Sequence, residues 1–275
     1  MQLHHLDRSF LATYRPARIR FRDSEELSPA VRSVWEALRT QENRRALRRG
    51  YERLRGVDLT LNDRAALLAA MATAEWDNGV STTARRMALE SIALYETQWL
   101  AHRVLLSIDL SERRYEAARD LLERLELDAG TAAWDEPLSR TEQHILRAAC
   151  AWMTNAWDET ALHLNEAYPE GVRSMPLVLQ EDWFRLAFYR NRPLDAADAA
   201  GELLGEHAPE KADILIQTLV RQGWHREALA LYRRIYEADP SNELLRRRVV
   251  GLCIREGNVQ EARRLMELGA LRLAV

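Results

Sequence analysis

From Ser28 onward, apolar residues recur at intervals of three and four, the spacing of one buried helix face. Ser28-Pro29 opens the first such run, with proline at the turn where its missing N–H costs nothing. Val31, Val34, Trp35 and Leu38 follow on one side, and a second run over about 43–54 carries Leu47, Tyr51 and Leu54. The pattern then predicts helices near 62–76, with Asn62 as cap and Gly79 closing it, and from Thr82 or Thr83 with Ala84, Met87, Ala88 and Ile92 buried. Further helices are read at 98–109 and 113–126. Ser139-Arg140-Thr141-Glu142 is a capping box that opens the helix of Ile145, Ala148, Ala149 and Trp152. Its partner runs from Trp157 to Tyr168, followed by helices near 177–190, 194–206, 210–222, 225–238, 242–256 and 259–268. Asp128–Pro137 and Pro169–Pro176 read as surface insertions. The sum is about fourteen helices in seven pairs. Residues 1–27 lack this periodicity and read as an extended or disordered arm, with a short strand near Ile19 and Phe21 left open.

The most regular stretch begins at Gly223. A glycine ends one helix by taking a left-handed conformation; Ala228, Leu231, Tyr232 and Ile235 then form one stripe, Pro240 stops the helix, and Ser241 is placed to cap the next. Thirty-four residues later the pattern returns at Gly257 and Ala262, with Met266 in the place of Tyr232. These residues resemble the tetratricopeptide repeat, a 34-residue helix-turn-helix unit. The frame continues backwards through Ala197 with Pro209, Ala161, Ala118 and Ala84. Only Gly223 and Gly257 stand directly before the second helix, and only Pro209 and Pro240 supply the closing proline. The resemblance implies an all-α, right-handed α-solenoid of about seven antiparallel helix pairs. Residues 58–275 form the array, 28–57 form an atypical Arg-rich hairpin that caps it, and 1–27 form the arm.

Composition changes this picture little. The net charge is -3, but residues 1–57 hold 13 Arg against 7 acids, whereas the remainder is acidic. Lys211 is the single lysine, an arginine bias expected of a GC-rich bacterial genome. Cys150 and Cys253 sit in apolar helical patterns and read as small core residues in a reducing cytoplasm. No apolar run approaches the roughly 18 residues of a membrane span, so a cytoplasmic location is expected.

The chain shows no Gly-rich phosphate loop, nucleophile elbow or Cys-x-x-Cys pair, so neither an enzyme nor a cofactor is expected. Glu159, His163 and Glu166 share a helix face, but no matching ligand set faces them and surface hydrogen bonding is the favoured reading. Arg44, Arg45, Arg48, Arg49 and Arg55 form an anionic-partner patch on one helix, weighed against a solvated outer face. Trp152, Trp183 and Trp224 read as core, and Trp134 as either a plug or an exposed anchor.

The resemblance also implies a concave groove lined by the first helix of each pair. Its inward residues would be Trp76, Arg103, Met153, Tyr189, Arg190, Gln217, Arg221, Arg247 and Arg255. That cationic lining suits an acidic or carboxylate-bearing protein segment. The asparagine positions of the chaperone-binding members hold Thr73, Ser107, Cys150, Leu186, Gln217 and Gly251 here, which argues against a chaperone-tail clamp. The reading is therefore a non-catalytic protein–protein interaction scaffold. A nucleic-acid-associated regulatory module using the Arg-rich region is the alternative, and homo-oligomeric self-assembly is a third.

Overall fold

A computed structural model describes residues 9–15, 27–39, 44–96, 98–127, 138–206 and 209–273. In these, fifteen α-helices and one 3-10 turn account for all regular structure. They are α1 (Phe10–Thr13), α2 (Pro29–Arg39), α3 (Arg44–Leu54), α4 (Leu61–Asp77), α5 (Ser81–Leu94), α6 (Trp99–Ser111), α7 (Tyr115–Leu127), α8 (Arg140–Met153), α9 (Trp157–Ala167), α10 (Leu177–Tyr189), α11 (Pro193–Glu206), α12 (Pro209–Gln222), α13 (His225–Ala238), α14 (Glu243–Arg255) and α15 (Val259–Leu273). The 3-10 turn, Val172–Ser174, lies within the stretch read as an insertion. Among the described residues no helix is long and apolar enough to cross a membrane.

The chain forms two compact units. One comprises residues 12–167; the other comprises 168–275 and the described residues 9–11. In the first unit each helix from α4 to α9 packs on its chain neighbour, and α2 and α6 also pack on α4. In the second, α10 to α15 pack in the same sequential manner, with α11 also against α13.

The helix junctions repeat one hydrogen-bond pattern. At Gly79, Arg113, Asn155, Asn191, Gly223 and Gly257 the backbone turns left-handed, with φ between 52° and 88°. Each of these residues donates its N–H three residues back, and the next residue donates five residues back, as in Trp224 N–H to Leu219 O at 3.0 Å. This double closure satisfies the orphan carbonyls of a helix end. The fifth residue after each turn begins the buried stripe: Ala84, Ala118, Thr160, Ala196, Ala228 and Ala262 are each at most 1% exposed. The register at Ala161 and Ala197 thus moves back by one residue, to Thr160 and Ala196.

Arg113, Asn155 and Asn191 hold this conformation with side chains that disfavour it, at about 1–2 kcal/mol for an ordinary residue. Replacing exposed Arg113 by glycine is expected to stabilise the first unit by about 0.5–1 kcal/mol, because strain relief outweighs the added freedom of the unfolded chain. Urea unfolding of the variant checks this; an unchanged or lowered midpoint would contradict it.

Several caps differ from the sequence reading. Thr60, not Asn62, caps α4 by accepting from Asp63 N–H at 3.1 Å. Asn242, not Ser241, caps α14 through Leu245 N–H, while the Ser241 hydroxyl donates to Asp239 at 2.5 Å. Ser139 caps α8 as expected through Glu142 N–H, but the Glu142 carboxylate pairs with Arg103 at 2.9 Å. Gly50 of α3 lies so close to α2 that a Cβ there would stand 3.1 Å from Val34 Cγ2, a packing constraint not visible in the pattern. The arm read over 1–27 is described only in part: residues 10–13 form α1, and the Ile19–Phe21 stretch lies outside the described residues, as do Asp128–Pro137 and Trp134.

Candidate functional site

The first helices of the pairs are not equally open. In α4, α6, α8 and α10 nearly every face is buried, as the runs Ala65–Ala72 and Trp99–Leu106 show. In α14, by contrast, only Val249, Leu252 and Cys253 are buried. Between α12, α13 and α14 of the second unit lies a cavity of about 220 Å³. Its walls are Gln217, Val220 and Arg221 from α12, Tyr232 from α13, and Arg247, Arg248, Gly251, Leu252 and Arg255 from α14. Gly251 leaves open space where a side chain would stand.

The cavity's electrostatics follow from who is already paired. Tyr232 is 2% exposed; its hydroxyl donates to Asp213 Oδ1 at 2.7 Å and accepts from Arg248 Nη1 at 2.5 Å. Burial, together with the hydrogen bond to the Asp213 carboxylate, pushes this phenol above its ordinary pKa, so it stays protonated. The Arg248 guanidinium ion-pairs with Asp213 and lies 5.5 Å from the Tyr232 ring centroid, a cation–π distance. Gln217 also donates to Asp213, at 3.2 Å. Arg247 is held by Glu243 at 2.9 Å, and the arginines beside that carboxylate lower its pKa to about 2. Arg221 and Arg255 are exposed and have no carboxylate partner among the described residues. The cavity is thus a fixed polar wall with two uncommitted guanidinium groups at it, suited to planar, bidentate anions.

Four of the residues expected to line a groove, Gln217, Arg221, Arg247 and Arg255, meet here. The others do not. Arg103 is 7% exposed and locked to Glu142 inside the first unit, so it is a core ion pair. Trp76 packs partly buried against the core of the first unit, and Met153 is half-buried at the end of α8. Tyr189 is 48% exposed at the end of α10, and Arg190 caps that helix and lies 3.5 Å from Asp195. Of the arginine patch, Arg49 and Arg55 are exposed; the side chains of Arg44, Arg45 and Arg48 lie outside the described residues. Of the pair that builds the wall, Tyr232 is read from the sequence only as a stripe residue and Arg248 is not singled out. Their signal was the tyrosine of the stripe followed by an arginine-rich first helix.

Elsewhere, Glu159 accepts from Arg119 at 2.6 Å and Glu166 pairs with Arg140, so the Glu159–His163–Glu166 face is committed to ion pairs. No group of three metal-ligating side chains occurs among the described residues. Cys150 and Cys253 are unpaired and buried, and burial pushes the Cys150 thiol up to about 12. Trp152 and Trp183 are buried, and Trp224 packs on Phe188 with ring centroids 4.5 Å apart.

His163 stacks near His144, 5.7 Å between ring centroids. Burial, and then the Arg147 charge and His144, hold its pKa below the ordinary histidine value. The unfolded imidazole therefore binds a proton at a pH where the folded one does not. Stability is unaffected above about pH 6.5 and declines as the pH falls below it, by at most about 1.4 kcal/mol per pH unit for one proton. Thermal unfolding of the parent chain and His163→Gln between pH 7.5 and 5 checks this: the variant should lose less of its Tm on acidification. Equal slopes would contradict it.

No protein-family model matches the chain, and no curated protein matches it.

Proposed function

We propose that the chain is a divergent tetratricopeptide-like scaffold, a right-handed solenoid of about seven helix pairs, which binds an acidic protein segment without catalysis. The observation that carries this reading is the α12–α14 cavity, where Arg221 and Arg255 stand without a carboxylate partner among the described residues, beside a Tyr232–Asp213–Arg248 wall. The repeated left-handed turn supports the repeat assignment, since one junction geometry recurs from Gly79 to Gly257. An acidic segment would pair its carboxylates with the free guanidinium groups and cover the apolar floor of Val220 and Leu252. The rival partner is nucleic acid on the arginines of α3.

The test is a pair of anisotropy titrations across salt concentration, with a fluorescein-labelled oligoglutamate peptide ending in a free carboxylate and with a labelled single-stranded oligonucleotide. Peptide binding that weakens with salt supports the proposal. Binding of the oligonucleotide without the peptide would replace it with the rival.

A further inference from the structure

The second unit contains residues from both ends of the sequence. Ser9, Phe10 and Leu11 belong to it, the chain then builds the whole first unit, and it returns at Tyr168. The contact that holds the early residues is specific. Asp182 of α10 is 0% exposed, and its Oδ2 accepts the backbone N–H of Leu11 at 2.8 Å and the Ser9 hydroxyl at 3.1 Å. Its Oδ1 accepts from Arg185 Nη1 at 2.5 Å, and Arg185 is itself 5% exposed. The Leu11 side chain is 1% exposed.

Two physical points make this a recognition site. First, α1 is a single turn of four residues, and a helix so short does not persist alone in water, because nucleation outweighs its few hydrogen bonds. Its first N–H groups have no partner within the helix, and Asp182 supplies one from 171 residues away. Secondly, a carboxylate buried to this degree persists only if donors surround it. Arg185 supplies one; the other two come from the N-terminal segment. Burial raises the pKa of Asp182, and the Leu11 N–H, Arg185 and Ser9 each act to lower it.

We infer that the Asp182–Arg185 couple is a peptide-recognition site for the chain's own Ser9–Leu11, an intramolecular clasp that completes the C-terminal unit. The site reads a backbone N–H and a hydroxyl two residues before it, beside a buried Leu11 side chain. The clasp makes the first unit an insertion within the second, so strain or cleavage near the N-terminus reaches a helix 170 positions away in sequence. The assignment does not rest on the cavity reading, and its test contains no ligand.

The test is site-resolved amide hydrogen exchange on the intact chain, with Asp182→Ala and Ser9→Ala as variants. The Leu11 amide should exchange at least roughly a hundredfold more slowly than in an unstructured peptide. Asp182→Ala should abolish that protection, and Ser9→Ala should reduce it, while the amides of α4 and α6 keep theirs. A Leu11 amide that exchanges freely in the parent chain would overturn the inference, and so would protection that survives Asp182→Ala. If Asp182→Ala does not fold, the parent measurement and Ser9→Ala decide: full protection unaffected by loss of the hydroxyl, or none at all, counts against the clasp.

Discussion

Reversing both exposed charges, as Arg221→Glu with Arg255→Glu, is expected to weaken binding of the oligoglutamate peptide by about a hundredfold, near 2.7 kcal/mol. Hydrogen bonds to charged groups contribute about 1.5–3 kcal/mol each, and the reversal adds repulsion to their loss. Both residues are exposed and hold no ion pair among the described residues, so the variant should keep the parent's unfolding midpoint. The parent value of the peptide Kd, read by anisotropy, is the comparison. A second variant separates charge from space. Gly251→Trp leaves every arginine in place but fills the region where a Cβ now meets nothing. It should weaken binding too. Unchanged affinity in both variants would remove the cavity from the account.

Arg185→Ala should cost about 3–5 kcal/mol of stability, the range for stripping one partner from a buried ion pair. Asp182 would remain fully buried with only the Leu11 N–H and the Ser9 hydroxyl to satisfy it. Asp182→Ala with Arg185→Ala should cost less than the two single changes added together, because the double change leaves neither charge stranded. Urea unfolding of the four proteins gives the cycle. Strict additivity would mean that the pair does not act as one element. The Arg86–Glu90 pair is the contrast: it is exposed at both ends, and surface pairs of this kind contribute about 0–1 kcal/mol.

The sequence made most helices legible because their stripes run over several turns and their ends carry proline, glycine or a capping hydroxyl. It failed where those signals were weak. The frame stands one residue late at Ala161 and Ala197, where an alanine directly follows the stripe positions Thr160 and Ala196 and the preceding turns, at Asn155 and Asn191, carry no glycine to mark the start. Asn62 offers a cap two positions from Thr60, which performs that role, and the two residues carry similar chemistry. One-turn α1 is too short to show a period. Asp182 and Arg185 stand three residues apart on α10, and no local pattern reveals a partner beyond 170 residues.

The candidate site was partly legible for a different reason. Positions on the first helices of pairs came from the resemblance, and at Gly223 and Gly257 both glycines turn the chain left-handed. Gln217, Arg221, Arg247 and Arg255 therefore fell on one cavity. Where the first helix is buried all round, as in α6, the same rule pointed at Arg103, whose partner Glu142 sits on another helix of the first unit. The rule gives direction from the helix axis but not what the next helix brings against it.

The most direct measurement is hydrogen exchange of the chain with and without saturating oligoglutamate peptide. Slowed exchange confined to Gln217–Arg221 and Arg247–Arg255 is the predicted result. Slowed exchange on α3 around Arg49 and Arg55, with α12 and α14 unchanged, would contradict the account.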